Sequence, residues 1–270
     1  MDYGLITTNF PMIQEITIDR LQVKIYEDRN QMGAGAALLA IEALRRRLAQ
    51  QQAVNVIFAA APSQQEFLAA LVQAQDLDWS RVNAFHMDEY VGLPQDAPQG
   101  FGNFLKKAIF SKVPFRTVHY LRGNAPDLPA ECARYAALLQ AHPTDIVFMG
   151  IGENTHIAFN DPHVADFQDS YLVKVVDLDQ ACRQQQVNDG CFAALAQVPT
   201  HALTLTVPAL VKAREVFCVV PGPNKSQAVY HTLREEIQAT YPATALRLHA
   251  QALLFLDKKS AAMVMAPVAT

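Results

Sequence analysis

The sequence is poor in charge, and it lacks the basic excess that marks proteins of nucleic acid or membrane surfaces. Only 18% of its 270 residues are charged, and the formal net charge is −4. Such a chain has no net electrostatic attraction for nucleic acid or for anionic lipid. The longest basic cluster, Arg45 to Arg47, lies in a helical pattern where a solvated face explains it. We therefore expect neither nucleic acid nor membrane as a partner.

Closely spaced cysteines and long apolar runs are also missing. The four cysteines are far apart and include no C-x-x-C pair, so neither a zinc knuckle nor a disulfide framework is indicated, and a reducing cytosol fits. No apolar run approaches the roughly 18 residues of a membrane span, and the first 20 residues lack the apolar core of a signal peptide. Low-complexity linkers and repeats are absent as well. We expect a cytoplasmic protein in which residues 1–270 form one domain.

Apolar, β-rich runs alternate with helical stretches along the chain, which predicts an α/β fold with a mostly parallel sheet. The clearest strand is 146–149, an uninterrupted apolar run that ends at Gly150-Ile-Gly152. Further extended segments are predicted at 21–26, 54–59, 82–86, 118–121, 172–176, 202–206, 216–220 and 253–256, and helices at 30–51, 64–75, 101–110, 129–141, 180–196 and 227–237.

Polar, loop-type sequence follows four of the predicted strands. The four segments are 61–63, 88–89, 150–161 and 222–226. In open α/β sheets, ligands bind outside the carboxyl ends of the strands. The sequence therefore predicts that a single pocket gathers these segments.

Two of these segments carry groups that can move protons. In the longest one, glycines let backbone N–H groups approach a ligand, and His156 and Asp161 can exchange protons. The alternative is an ordinary turn with a hydrogen-bonded loop histidine. Asp88 and Glu89 are adjacent, so on an extended segment they point to opposite faces and only one can enter the pocket. Either carboxylate could instead cap the following turn.

The other two segments favour an anion, with phosphate as the natural candidate. Lys225 and Ser226 lie where a loop enters a helix, so backbone N–H groups, the helix dipole and an ammonium can meet one ligand. Ser63 lies in the same kind of position, and Arg183 could add a bidentate fork. Each residue also has an ordinary alternative, because serine is a common helix N-cap and helical Lys or Arg is usually solvated.

No motif for a metal or an organic cofactor stands out. A metal site built from His86, Asp88, His156 and Asp161 is conceivable, but the sequence has no H-E-x-x-H motif and no tight ligand cluster. We predict a site without metal or cofactor.

Two long segments resemble signatures of the glucosamine-6-phosphate deaminase family. They are FHMDEYVGL at 85–93 and GIGENTHIAFNDP at 150–162, and shorter similarities occur at 123–126, 198–204 and 222–225. The resemblance spans most of the chain. It implies a doubly wound, Rossmann-like sheet with helices on both faces, and a metal-free aldose-to-ketose isomerisation of an amino sugar phosphate with loss of ammonia.

The resemblance also implies roles for individual residues. Asp88 would shuttle a proton between C2 and C1 of the sugar, and His156 would open the pyranose ring with help from its neighbours at 154 and 161. The implied contacts to substrate and phosphate are Ser63, Gly150, Gly152, Arg183 and Lys225.

The sequence departs from the family pattern next to this histidine and in the phosphate loop. The family usually has Asp at Asn154, Gly at Thr155 and Glu at Asp161. We expect a weakened acid relay, since an amide can only orient the imidazole, and the shorter Asp161 needs a tighter loop to stay within about 3 Å. In the phosphate loop, 60–63, the usual glycine-rich turn is replaced, and Pro62 has no N–H to donate.

Three functions remain open at this point. The first is an isomerase or deaminase of a phosphorylated amino sugar. The second is a 6-phosphogluconolactonase-type hydrolase that uses His156 to activate water, although 157–160 follow the deaminase pattern. The third is a sugar-phosphate sensor acting through a protein partner, because no helix-turn-helix precedes the first strand. The identity of the sugar phosphate and the formation of a homo-oligomer are left open.

Overall fold

The computed structural model describes residues 11–265. Its strands are β1 (Met12–Ile18), β2 (Leu21–Tyr26), β3 (Val54–Phe58), β4 (Val82–His86), β5 (Asp88–Tyr90), β6 (Thr117–His119), β7 (Ile146–Met149), β8 (Val173–Asp177), β9 (His201–Leu205), β10 (Glu215–Val220) and β11 (Ala252–Asp257). Its helices are α1 (Arg29–Gln50), α2 (Gln65–Leu71), α3 (Phe101–Leu105), α4 (Leu128–Ala141), α5 (Gln180–Asn188), α6 (Val207–Val211), α7 (Ser226–Arg234) and α8 (Ala262–Met265).

The main sheet has eight strands in the order β1-β2-β11-β10-β7-β3-β4-β6. All neighbouring pairs are parallel except β1 and β2, which form an antiparallel pair at one edge. Every residue of β7 and β10 is buried, as expected for parallel strands that are covered on both faces. The predicted α/β fold with a mostly parallel sheet is therefore confirmed.

Helices cover both faces of this sheet. Successive strand residues point to opposite faces, so each buried strand packs against helices on both sides. Phe148 packs on one face with Phe67 of α2, where the ring centroids are 5.0 Å apart. Val147, its neighbour in β7, belongs to the core on the other face together with Tyr135 of α4 and Ala228 of α7. The doubly wound arrangement implied by the family resemblance is thus present.

A second sheet corrects part of the predicted topology. It is antiparallel, has the order β5-β9-β8, and pairs Asp88 with Thr204. The extended segments near 172–176 and 202–206 therefore leave the parallel sheet, and Asp88 and Glu89 lie in a strand instead of a loop. Only Met87 separates β4 from β5, so the chain passes from one sheet to the other within a single residue.

Several helices are shorter than their patterns predict. The helix expected at 180–196 ends at Asn188, and Gly190 follows with a φ of +75°, a left-handed conformation that commonly ends helices. The segment 101–110 divides into α3 and a π-helical turn at 106–110. Between residues 11 and 265, no helix combines the length and the apolar character needed to cross a membrane. The prediction of one domain over 1–270 stays a prediction.

Candidate active site

A cavity of about 310 Å³ lies at the carboxyl edge of the main sheet. Its volume is at the lower end of the range of roughly 300–1,000 Å³ that small-molecule sites occupy. Residues from all four predicted strand-end segments line it, so the expectation of a single shared pocket is confirmed. The predicted site residues on its wall are Ser63, Asp88, Gly150, Gly152, His156 and Lys225.

Strand β5 separates the two adjacent carboxylates, as the alternation of a strand requires. Asp88 lines the cavity and is 6% exposed. The Glu89 carboxylate points elsewhere and accepts hydrogen bonds from the backbone N–H groups of Tyr90 (2.9 Å), Phe101 (3.0 Å) and Gly102 (2.9 Å). Glu89 therefore caps the start of α3, and Asp88 is the carboxyl group that is free to meet a ligand.

The backbone of Asp88 is held in place by a buried histidine, and its carboxyl group is a weaker acid than an ordinary aspartic acid. Burial, followed by the negative charge of Glu89, raises the pKa of Asp88 well above its ordinary range. Behind it, His86 accepts a hydrogen bond at Nε2 from the Leu121 N–H (2.9 Å), so its Nδ1 carries the proton and donates to the Asp88 carbonyl (2.9 Å). Burial lowers the pKa of His86 to about 4. This neutral imidazole acts as a fixed support for the backbone at Asp88.

His156 is oriented by a network that joins an amide and two carboxylates. Its Nδ1 lies 2.6 Å from Asn154 Oδ1 and 3.1 Å from Asp161 Oδ1. Asn154 Nδ2 in turn donates to Asp161 Oδ1 and to Asp179 Oδ2, at 3.0 Å in each case. Because these acceptors surround Nδ1, that nitrogen carries the proton and Nε2 is the atom available to a ligand.

Asp161 lies behind the histidine and not on the cavity wall. Burial alone would raise the pKa of Asp161. The pKa is instead lowered to about 2 by the hydrogen bond to His156, by the charge of His156, and by hydrogen bonds from the Asn154 amide and the Asp179 N–H. Asp161 is therefore a carboxylate at neutral pH. The loop does close up as the shorter side chain requires, and an acid stays beside His156 although Asn154 is an amide.

The histidine loop is tightly built. A Cβ on Gly152 would lie 2.1 Å from Cε1 of His156, so only glycine lets the imidazole take this position. Thr155 and Ala158 have φ values of +70° and +49°, in the left-handed region that β-branched residues in particular avoid. The Thr155 hydroxyl is buried and finds no hydrogen-bond partner in the described part of the chain.

The other end of the cavity is formed by two turns that precede helices. Ser63 lies in the 3₁₀ turn Pro62–Gln64 and does not act as a side-chain cap for that turn or for α2. Lys225 ends the 3₁₀ turn Pro223–Lys225 directly before α7, is 7% exposed, and forms no ion pair with any residue from 11 to 265. Burial lowers the pKa of Lys225, against the opposing charges of Asp189 and Glu153.

Arg183 does not line the cavity. Its Nη2 donates to the backbone carbonyls of Leu195 (2.8 Å) and Val198 (2.9 Å), because the chain folds back after the shortened α5. The structure therefore does not bring Arg183 to the wall of the cavity, and its contact with phosphate stays a prediction. Helix α5 brings Gln185 and Gln186 to the cavity, the residue after it adds Asp189, and α1 adds Arg29. No motif in the sequence marked these four residues or Asp179.

A cluster of possible metal ligands differs from the set considered in the sequence. His156, Asp161 and Cys182 have ligating atoms within 4.8 Å of one another. Hydrogen bonds already occupy His156 Nδ1 and Asp161, and burial first of all raises the pKa of the Cys182 thiol well above its ordinary range. Hydrogen bonding alone therefore accounts for how these groups are arranged.

A larger depression of about 1180 Å³ lies beside the candidate site and is lined by Glu89, Tyr120, Arg122 and Arg134, among others. It contains none of the predicted site residues. The smaller cavity is the candidate site because it holds Asp88, His156 and the strand-end glycines.

Comparison with known proteins adds independent findings. Residues 27–255 match the profile of the family described as glucosamine-6-phosphate isomerases/6-phosphogluconolactonase. The glucosamine-6-phosphate deaminase of Streptococcus sanguinis is 33% identical over 242 residues, which cover 90% of this chain and 99% of the relative. The glucosamine-6-phosphate deaminase of an Exiguobacterium species is 38% identical over 185 residues, 68% of this chain and 71% of the relative.

Solved structures agree with these relatives. A monomeric glucosamine-6-phosphate deaminase superposes with a TM-score of 0.82 at 26% identity, covering 89% of this chain and 99% of that one. A 6-phosphogluconolactonase from Thermotoga maritima superposes with a TM-score of 0.69 at 20% identity, covering 87% and 99%. The second similarity is one of fold.

Proposed function

The chain belongs to the glucosamine-6-phosphate isomerase/6-phosphogluconolactonase family of enzymes, and we propose that it converts an amino sugar 6-phosphate to a ketose phosphate and ammonia. The observation that carries the proposal is one cavity lined by a buried carboxyl group, Asp88, and by a histidine, His156, whose Nε2 has no hydrogen-bond partner among residues 11–265. The identity to deaminases over nearly the whole chain supports the deaminase reaction.

In the proposed reaction, His156 first opens the sugar ring. Its Nε2 takes the proton of the C1 hydroxyl and passes it to the ring oxygen, which leaves an aldehyde at C1. During the transfer the imidazole is charged, and Asp161 beside Nδ1 stabilises that charge while Asn154 fixes the ring orientation.

Asp88 then carries a proton from C2 to C1. The C1 oxygen gains a proton and the amine nitrogen loses one, so an imine forms at C2, and water hydrolyses it to the ketose and ammonia. A general base works best when its pKa lies near the operating pH. Burial and Glu89 move the pKa of Asp88 in that direction.

We place the phosphate of the substrate at the Lys225 end. Ser63 offers a hydroxyl there, Lys225 a buried charge, and the turn before α7 presents backbone N–H groups at a helix start. Gly150 lies beside Ser63, Gly152 lies against the His156 ring, and both line the cavity.

A lactonase is the second candidate, because a histidine with a free Nε2 can also activate water and the fold is shared with 6-phosphogluconolactonases. The test is a panel assayed with the purified protein: glucosamine 6-phosphate, galactosamine 6-phosphate and 6-phosphogluconolactone, with ammonia, ketose and free acid measured together. We expect ammonia and ketose in equal amounts from an amino sugar phosphate. Lactone hydrolysis without ammonia would make the chain a hydrolase, and no reaction at all would contradict both functions.

We further propose a cytoplasmic location, which the four unpaired cysteines support. The homo-oligomer left open by the sequence is tested by measuring the molar mass in solution.

A further inference from the structure

The side of the cavity formed by α5 and the residue directly after it carries an acid and no cation. Arg183, the only basic residue of α5, is turned toward the carbonyls of Leu195 and Val198. Asp189 directly follows the helix and lines the cavity. From the described residues, 11–265, its carboxylate accepts one side-chain hydrogen bond, from Gln185 Nε2 at 3.2 Å. A negative group therefore lies at the same cavity as the proposed phosphate contacts.

The positive charge of this cavity is small. Arg29 is neutralised by Glu66, whose carboxylate lies 2.7 Å from its Nε and 2.8 Å from its Nη2. Lys225 is the one lining cation without an ion-pair partner among residues 11–265. The negative charge of Asp189 acts on this lysine, although the two do not form an ion pair. Lys225 and Asp189 together therefore carry no net charge. A phosphate dianion beside this pair would meet a carboxylate that repels it.

We propose that Asp189 determines specificity by selecting the singly protonated phosphate ester, whose P–OH group donates to the Asp189 carboxylate while its charged oxygens accept from Lys225. The proposal rests on the phosphorylated substrate proposed above. It explains why a cavity whose lysine has no ion-pair partner among residues 11–265 retains an acid beside that lysine. The carboxylate accepts a hydrogen bond from the single P–OH donor of a phosphate monoanion.

The proposal predicts a specific pH dependence. Phosphate esters lose their second proton near pH 6, so affinity should fall roughly tenfold for each pH unit above that value. A histidine also changes charge in this range, but it would act equally on a sulfate ester, which is a monoanion without a proton to donate. The titratable groups that face Asp189 and the cavity are Arg29, Asp88, Glu153, His156, Cys191 and Lys225.

The experiment is a calorimetric titration with glucose 6-phosphate and glucose 6-sulfate between pH 5.5 and 7.5. These sugars lack the amine, so binding is measured without ammonia release. For the wild-type protein we expect the phosphate affinity to fall by roughly tenfold per pH unit above about pH 6 and the sulfate affinity to stay nearly flat. Asp189→Asn should flatten the phosphate profile and raise the affinity for both esters at pH 7.5. Asp166→Asn removes an exposed acid away from the cavity and should behave as the wild type.

Three results overturn the proposal: equal pH dependence for phosphate and sulfate, an unchanged profile in Asp189→Asn with a normal thermal unfolding temperature, or no binding of either ester to the wild type. The proposed function fails separately. A protein that shows the predicted binding profile and releases no ammonia has the phosphate site without the deaminase reaction, whereas ammonia release with a flat profile removes only the role of Asp189.

Discussion

The two ends of the cavity are built in different ways. At the His156 end, side chains of the protein satisfy each other: Asn154, Asp161 and the imidazole are joined by contacts of 2.6 to 3.1 Å. At the Lys225 end, a buried ammonium has no ion-pair partner among residues 11–265. A reacting group benefits from an orientation fixed in advance. A binding group is instead left unpaired until the ligand supplies its partner, and the two ends should therefore respond differently to substitution.

The largest effect is expected from Asp88→Asn. An amide cannot accept the C2 proton, so turnover should fall by about 10² to 10⁴ while substrate binding changes little. The control is Asp166→Asn, an exposed acid that does not line the cavity. Near-normal turnover in Asp88→Asn would show that Asp88 is structural.

The same variant should be more stable than the wild type. Because the folded-state pKa of Asp88 is raised, stability is lost as the pH rises from the unfolded pKa through the folded one. Asp88→Asn removes this loss, so we expect a gain of about 0.5–2 kcal/mol at neutral pH and almost none below about pH 4. Denaturant unfolding at both pH values measures it.

At the other end, Lys225→Ala should change binding and spare chemistry. Loss of a charge-assisted hydrogen bond predicts a rise in KM for the phosphorylated substrate of about 10- to 100-fold. The kcat should stay close to that of the wild type, and stability should not fall, since burial disfavours the charged lysine. Lys212→Ala, at an exposed lysine away from the cavity, is the matched control. A fall in kcat with unchanged KM would place Lys225 in the chemistry and not at the phosphate.

Asp161→Asn tests how much the ionised Asp161 carboxylate at the His156 end contributes to the stability of the fold. The folded-state pKa of Asp161 is about 2, below the ordinary value, so this group contributes stability above about pH 4 that is lost as the pH falls through 2. We expect the variant to be about 2 kcal/mol less stable at neutral pH, with the difference shrinking toward pH 2. Urea unfolding as a function of pH gives the result, and a constant difference at all pH values would contradict the ionic role.

The smallest effect is expected from Thr155→Gly. A threonine at φ +70° is strained, and relief of that strain should outweigh the extra freedom of glycine in the unfolded chain, for a net gain of up to about 1 kcal/mol. Ala158→Gly, at φ +49°, should give a smaller gain because alanine is not β-branched. No comparable gain is available at the Lys225 end, since the residue with a positive φ there is already a glycine, Gly222, at φ +93°. Thermal unfolding that shows no gain in Thr155→Gly would mean that the loop carries no strain there.

Local sequence was sufficient for the strands that approach the site. The run 146–149 was predicted at the residues where β7 occurs, because a buried parallel strand is apolar on both faces. The run 82–86 was likewise predicted where β4 occurs, although it contains the polar residues Asn83 and His86. The alternation of β5 likewise predicted that only one of Asp88 and Glu89 enters the cavity. What could not be predicted is the pairing of β5 with β9, more than 100 residues later, since no local pattern encodes a distant partner.

The sequence by itself determined the class of fold, the family, and the strand ends that meet in one cavity, because hydrophobic periodicity and long motifs are local properties. Only the tertiary structure decided which charges face the ligand. Arg183 and Asp189 lie on the same short stretch of chain, yet the first is bound to the carbonyls of the following loop and the second lines the cavity. The direction of a side chain near a helix end depends on how the chain folds back after it. A glycine such as Gly190, with its φ of +75°, allows the chain to turn there, but its presence in the sequence does not determine the direction that the following residues take.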